Sequence, residues 1–406
     1  MVPVKLVPFD HCDLRLGEPL PVPLHDAAGR LLVAAGVVLR DGERLAALAR
    51  HGLFTELRHA LEWKRRVNAA ADAKLRQNAL LKDVAVARPD VPARARGHDE
   101  RAPMQAWQDG IDQLDALLRE ATRAPGPDWA ERLSALRCQM QALLERWPDA
   151  SLYLLIHEAG HDCARHSAHH AALAMAVCEL AAPLLDWPAE ASQRLAVAAL
   201  TMNVSVWRLA DQWAASERPP ATAAQPAELA AHARAGAALL ESLALRDAQS
   251  LEIVARHHEA LPADAAAAGP ATVPRMTALL QRADVLAGRI CRRAVGEPAA
   301  PALAVREACL GPDGQPDAIG SALLRATGLF PPGSFVELAG GEIGIVVARG
   351  RRANLPHVAA LVGASGAPLG VPALRDTVER RYAVKTAIPA ARVRVRPPHE
   401  RLIAMR

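Results

Sequence analysis

Five of the chain's fifteen histidines fall within fourteen residues: His157, His161, His166, His169 and His170. The first two frame HEAGH, histidines at i and i+4 around a glutamate. On a helix this spacing sets both imidazoles on one face, where they grip a zinc ion while Glu158 acts on a bound water. The chemistry would be zinc-dependent peptide hydrolysis, and it needs a third ligand and an apolar wall. The residues that follow, DCARHSAHH, are polar. They favour an exposed turn leading into an apolar helix from Ala168, so the spacing reads as accidental.

A second constellation is spread more widely. His170 opens HAALAMAVCELAAPLL, and His232 heads HARAGAALL. His257 and His258 close LEIVARHHE, and Asp284 sits inside LLQRADVLAGR. Imidazoles and a carboxylate on separate helices, converging on one centre, suit iron, manganese or zinc. Two such ions a few ångströms apart activate a water and hold a phosphate. Each element alone has a plainer reading, because a histidine at a helix start often caps the helix or faces solvent.

The elements that must position these residues follow from pattern. At 406 residues the chain is long enough for several domains, and its core must be built from Ala, Leu and Val because aromatics are only 3%. Residues 1–58 read as a β-rich module: LPVPLHDAAGRLLVAAGVVL alternates around an Asp-Ala-Ala-Gly turn, and a short helix, GERLAALARHG, follows. Residues 59–148 read as a helical linker with a Pro/Arg/Ala-rich break at 84–103. Its second half, 104–147, carries helical apolar spacing from Trp107 to Leu144 and suits pairing in a homodimer. Residues 149–328 are helix after helix and hold all the concentrated histidine chemistry. Residues 329–406 return to strands: SFVELAGGEIGIVVARG, HVAALVGASGAPL and YAVKTAIPAARVRV. The fold class is multidomain α+β, an all-α helical bundle core flanked by small β-rich modules.

Net charge is +4, with acidic and basic residues spread along the chain. No basic run is interleaved with aromatics, so nucleic acid is not an expected partner. The six cysteines form no C-x-x-C pair, which fits a reducing compartment better than a disulfide framework. The first residues have no apolar signal core, and the most apolar stretch, 171–185, is short and holds Glu179. The expectation is a cytoplasmic protein with no membrane insertion.

In order and spacing, the second constellation resembles the HD-GYP branch of the HD-domain phosphohydrolases, which hydrolyse the bacterial second messenger cyclic di-GMP. The resemblance covers about residues 150–300. The tail GLFPPGSFVEL is similar to the G-x-Y/F-P-P-G-S-x-V-x-L turn that commonly follows that domain, and LGEPLPVPLHDAAGRLLVAAGVVL is similar to β-rich segments placed ahead of it. The resemblance implies an HD-domain-like bundle with His170, His232, His257, His258 and Asp284 as metal ligands. Arg256, Arg275, Arg282 and Arg289 stand near its ligand-facing stretches, where guanidinium groups suit phosphate.

The sequence departs from the family where the chemistry is densest. In LTMNVSV, Met202 stands for the eponymous histidine and Asn203 for the aspartate that bridges two metals. Ser205 replaces a glycine and Val206 a lysine, and no Gly-Tyr-Pro follows His257-His258-Glu259. A literal His161–Asp162 dipeptide is the other candidate for the pair, although no Gly-Lys follows it. The expected state is no metal or one divalent ion (iron, manganese or zinc) at a residual three-histidine site. The expected function is that of a degenerate, inactive module acting as scaffold or ligand sensor, with cyclic di-GMP or a signalling protein as partner. An active phosphodiesterase is the alternative, and the HEAGH protease a remote one.

Overall fold

The computed structural model describes residues 6–9, 14, 18, 20–25, 31–33, 53–76, 89, 103–217, 227–262, 264–311 and 314–405. The expected helix GERLAALARHG, the Asp-Ala-Ala-Gly turn and nearly all of the 84–103 break lie outside these residues. The chain divides into two compact units, Met1–Asp99 and Glu100–Arg406.

In the first unit, β1 (Leu6–Pro8), β2 (Leu24–His25), β3 (Leu31–Val33) and β4 (Phe54–Glu56) form an antiparallel sheet in the order β1-β4-β2-β3. Leu24 pairs with Val33 across the hairpin, and helix α1 (Leu57–Arg76) follows β4 directly. Leu20, Val22, Leu24, Leu53 and Trp63 form its small core.

The second unit begins with α2 (Pro103–Ala121) and α3 (Trp129–Arg146). Their apolar residues recur every three or four positions, which gathers them on one face. That face, including Trp107, Ile111, Leu114, Leu133, Met140 and Leu144, is buried within the same chain, in one core with the helices that follow. The surface read as a pairing face between copies is thus covered internally.

Helix α4 (Pro148–Ala159) leads to α5 (His166–Ala181), which a 3-10 turn extends to Leu185. Helix α5 has no amphipathic stripe because it is buried nearly all round, the pattern of a central helix. Around it pack α2, α4, α6 (Ala189–Thr201), α7 (Trp207–Ala215), α10 (Val273–Ile290) and α12 (Ala318–Thr327). Helices α8 (Ala227–Ser242), α9 (Ala248–Arg256) and α11 (Pro301–Cys309) complete the bundle. Among the described residues, His166–Leu185 is the one helical stretch long and apolar enough to cross a membrane, and most of it is buried inside the protein. At 20 residues it is longer than the stretch expected from sequence, because the helix takes in His166 to His170.

The C-terminal strands are β5 (Phe335–Leu338), β6 (Ile343–Ala348), β7 (His357–Val362), β8 (Pro368–Asp376) and β9 (Val384–Ile388), antiparallel in the order β8-β7-β6-β5-β9. Alternate residues face opposite sides of a strand. Phe335, Ile345 and Ala359 accordingly join the helical core, while Val336, Val346 and Val358 form a separate cluster. Strand β9 stops before Pro389, which has no N–H to pair; a 3-10 turn at Ala390–Arg392 stands where ARVRV read as strand. Helix α13 (His399–Ile403) ends the described chain with Leu402 buried.

Candidate metal centre

The HHE turn is placed by helix chemistry. Asp247 caps α9, its Oδ1 accepting the Ser250 N–H at 2.7 Å, and Arg194 holds the other carboxylate oxygen at 3.2 Å. Nine residues later the helix ends, and His257, His258 and Glu259 leave it in a turn. The Glu259 carboxylate takes Arg234 of α8 at 2.7 Å and Arg256 at 3.2 Å. Its carbonyl accepts Gln281 Nε2 of α10 at 2.8 Å. The turn is therefore tied to the helix that carries His232 and to the one that carries Asp284.

These ties bring His232, His257 and His258 together, with their ligand nitrogens all within 4.8 Å of one another. His257 Nδ1–H donates to the Val254 carbonyl at 2.6 Å, leaving the Nε2 lone pair for the cluster. His232 Nε2 lies 3.2 Å from it. His232 and His257 are buried, and His258 is exposed. Burial first, and then the neighbouring His258, push the His257 imidazole down to about 4, so it is neutral near pH 7.

On the other side, His170 Nε2 and Asp284 Oδ1 are 2.7 Å apart. Gly288, one turn beyond Asp284, lies against the same ring: a Cβ there would sit in ordinary contact, 3.6 Å from His170 Cε1. Burial alone would raise the Asp284 carboxyl. The His170 hydrogen bond and the electrostatic pull of the His170, His257 and His258 imidazoles outweigh it and hold the group below its ordinary value. Asp284 thus feels both sides of the constellation. The pair opens onto a cleft of about 650 Å³, also lined by Arg289, Arg293 and Glu307. Arg293 escaped the sequence reading; its only signal is the Arg-Arg step just beyond α10.

The turn 202–206 lies against α8. Ser205 Oγ donates to the His232 carbonyl at 2.9 Å, and a Cβ at Gly236 would stand 3.7 Å from the Met202 carbonyl. Met202 is wholly buried in the hydrophobic core, Val206 is buried, and Asn203 is half-buried.

HEAGH behaves differently from its sequence reading. Helix α4 ends at Ala159, so His161 lies past it, and His161 Nδ1–H donates to the His157 carbonyl at 2.6 Å. The two rings stack with centroids 4.0 Å apart, and His399 packs on His157 at 4.2 Å. The expected exposed stretch is also partly buried, since His157 is only 8% exposed and burial continues from His166 onward, ahead of Ala168. Burial raises the Glu158 carboxyl, an effect that nearby His161 and Arg165 oppose. Asp162 of the literal His-Asp dipeptide accepts the Ala164 N–H and the Arg165 guanidinium just ahead of α5. Five cysteines among the described residues are free thiols.

No family model matches the chain, and no curated protein does. Among solved structures it is similar to an HDG"Y"P protein from Bdellovibrio bacteriovorus, at 14% identity over 79% of this chain and 98% of that one. The TM-score is 0.40, a likeness too slight to bear on fold or chemistry.

Proposed function

We propose that the chain carries a degenerate HD-GYP-like domain, a scaffold or ligand sensor in cyclic di-GMP signalling that does not turn over a phosphoester. One observation carries the reading. His232, His257 and His258 gather as three imidazoles near Asp284, while Asn203 and the wholly buried Met202, which the family resemblance aligns with the bridging carboxylate and the eponymous histidine, supply neither the charge nor the imidazole. A neutral amide does not supply the charge that keeps two divalent cations side by side, and a thioether is a poor ligand for hard or borderline metals. Val206, buried, offers no cation to a phosphate.

The three histidines suit a single ion. Two imidazole nitrogens bound to one tetrahedral zinc at about 2.0–2.1 Å stand roughly 3.3 Å apart. His232 Nε2 and His257 Nε2 are 3.2 Å apart. His232, His257 and His258 would hold iron, manganese or zinc, which would supply Lewis acidity there. His170 and Asp284, with Arg293 on the same cleft, favour the second reading, an active phosphodiesterase.

The test is hydrolysis of cyclic di-GMP with each metal supplied. The proposal expects no turnover above that of a His257→Ala/His258→Ala control. It also expects the Met202→His/Asn203→Asp double variant to raise metal content to two ions per chain. Native turnover that His257→Ala abolishes would replace it with the second reading.

A further inference from the structure

The His170–Asp284 cleft shares a wall with a second one. Gly296, Glu297, Pro298 and Ala299 line both, and the second has a volume of about 320 Å³. That is within the range of small-molecule sites, roughly 300–1,000 Å³. Its apolar sides include Ile156, Ile290, Phe335 and Ile388, and the residues with titratable side chains along it are His157, His161, Arg292 and Glu297. No ligand of the candidate metal centre lines it.

The cleft is closely built. Gly333 has φ +90°, and a Cβ there would stand 2.9 Å from the Tyr153 carbonyl, so only glycine lets the lead into β5 approach α4 this closely. The buried His157 ring has an Nδ1 with no partner among the described residues. The shared wall is pinned at its ends: Arg292 N–H donates to the Ala159 carbonyl at 2.7 Å, and Ala299 N–H to the Arg289 carbonyl at 3.0 Å. Between them Gly296 also has positive φ, with open space where a Cβ would be. The Arg292 carbonyl accepts His166 Nδ1–H at 3.3 Å, so this peptide links the end of α4 to α5 one turn before His170.

We propose that this cleft binds a small planar heterocycle with both an acceptor and a donor on its edge, the chemistry of a free purine base. Aliphatic sides and imidazole rings suit a flat body. The Arg292 guanidinium donates and the Glu297 carboxylate accepts, so a ligand edge offering both meets both. The two opposite charges also disfavour a ligand of strong net charge.

Calorimetric titration of the full chain with hypoxanthine tests this. One saturable site per chain is expected. Ala391→Trp, which intrudes from the exposed rim, and Glu297→Lys should each weaken binding at least tenfold in variants whose circular dichroism is native. His258→Ala should leave it unchanged. No saturable binding up to the solubility limit would overturn the proposal. So would binding that survives both cleft variants, binding lost with His258→Ala, or equal affinity for benzoate, an anion with no donor edge.

Discussion

His157, His161 and His399 form one histidine cluster, and His232, His257 and His258 another, with opposite chemistry. In the first the rings stack at 4.0 and 4.2 Å, and Nδ1 atoms are engaged by the His157 carbonyl and by the Tyr153 hydroxyl. In the second the rings meet at 43–75°, and their ligand nitrogens converge. The first carries the zinc signature in its sequence, and the second has the geometry. Helix ends decide the difference. Helix α4 stops before His161 can share a face with His157, whereas α9 stops so that His257 and His258 turn toward α8 and α10.

The sharpest way to break this comparison is to remove one ring from each cluster. His257→Ala should weaken zinc binding by about 100-fold or more in a chelator competition, because it leaves two imidazoles where three are needed. His157→Ala should leave affinity within about threefold and instead lower stability by about 1–3 kcal/mol in urea unfolding, since it empties a buried site. Reversed effects would exchange the roles of the clusters.

Acid should distinguish the clusters next. Burial, helped by His161 and His399, pushes the His157 imidazole down to about 3, and burial with His258 pushes His257 to about 4. In the unfolded chain both titrate near about 6.5. Below that pH the unfolded state takes up protons that the folded state refuses. Stability is therefore full above pH ~6.5 and is lost as pH falls, until the folded groups titrate near 4 for His257 and near 3 for His157. The Tm of chelator-treated protein should fall between about pH 7.5 and pH 5, and His157→Gln should reduce that fall. Below pH ~4 a difference between the His157→Gln and His257→Gln profiles should persist, because of these two rings His157 alone still resists protonation there. A Tm flat across this window would contradict the burial of both rings.

The smallest effect is expected at the edge of the first cluster. The Tyr153 hydroxyl hydrogen-bonds His399 Nδ1 at 2.9 Å. Tyr153→Phe should cost about 1 kcal/mol of unfolding free energy and leave zinc affinity unchanged.

Legibility in the sequence follows the range of each interaction. The Gly340–Gly341 turn between β5 and β6 is local, and the strands stand where alternation expects them. Helices α2 and α3 were legible as helices, since 3.6-residue spacing is a property of the segment. Their burial in the main core was not, because an apolar stripe does not say what covers it. The two histidine clusters divide the same way. His257 and His258 stood out as a pair, but His232 joins them across 25 residues through Arg234 and Glu259. Tyr153 meets His399 across 246 residues, which no local spacing announces. Arg293 and Glu297 line the clefts from an irregular segment, where there is no period to read.

The central claim is an incomplete metal centre with room for one ion at most. Elemental mass spectrometry of the purified native chain, produced with iron, manganese and zinc supplied, tests it most directly. The account predicts no more than one transition metal per chain, lost in His257→Ala/His258→Ala. Two metals per chain would contradict it.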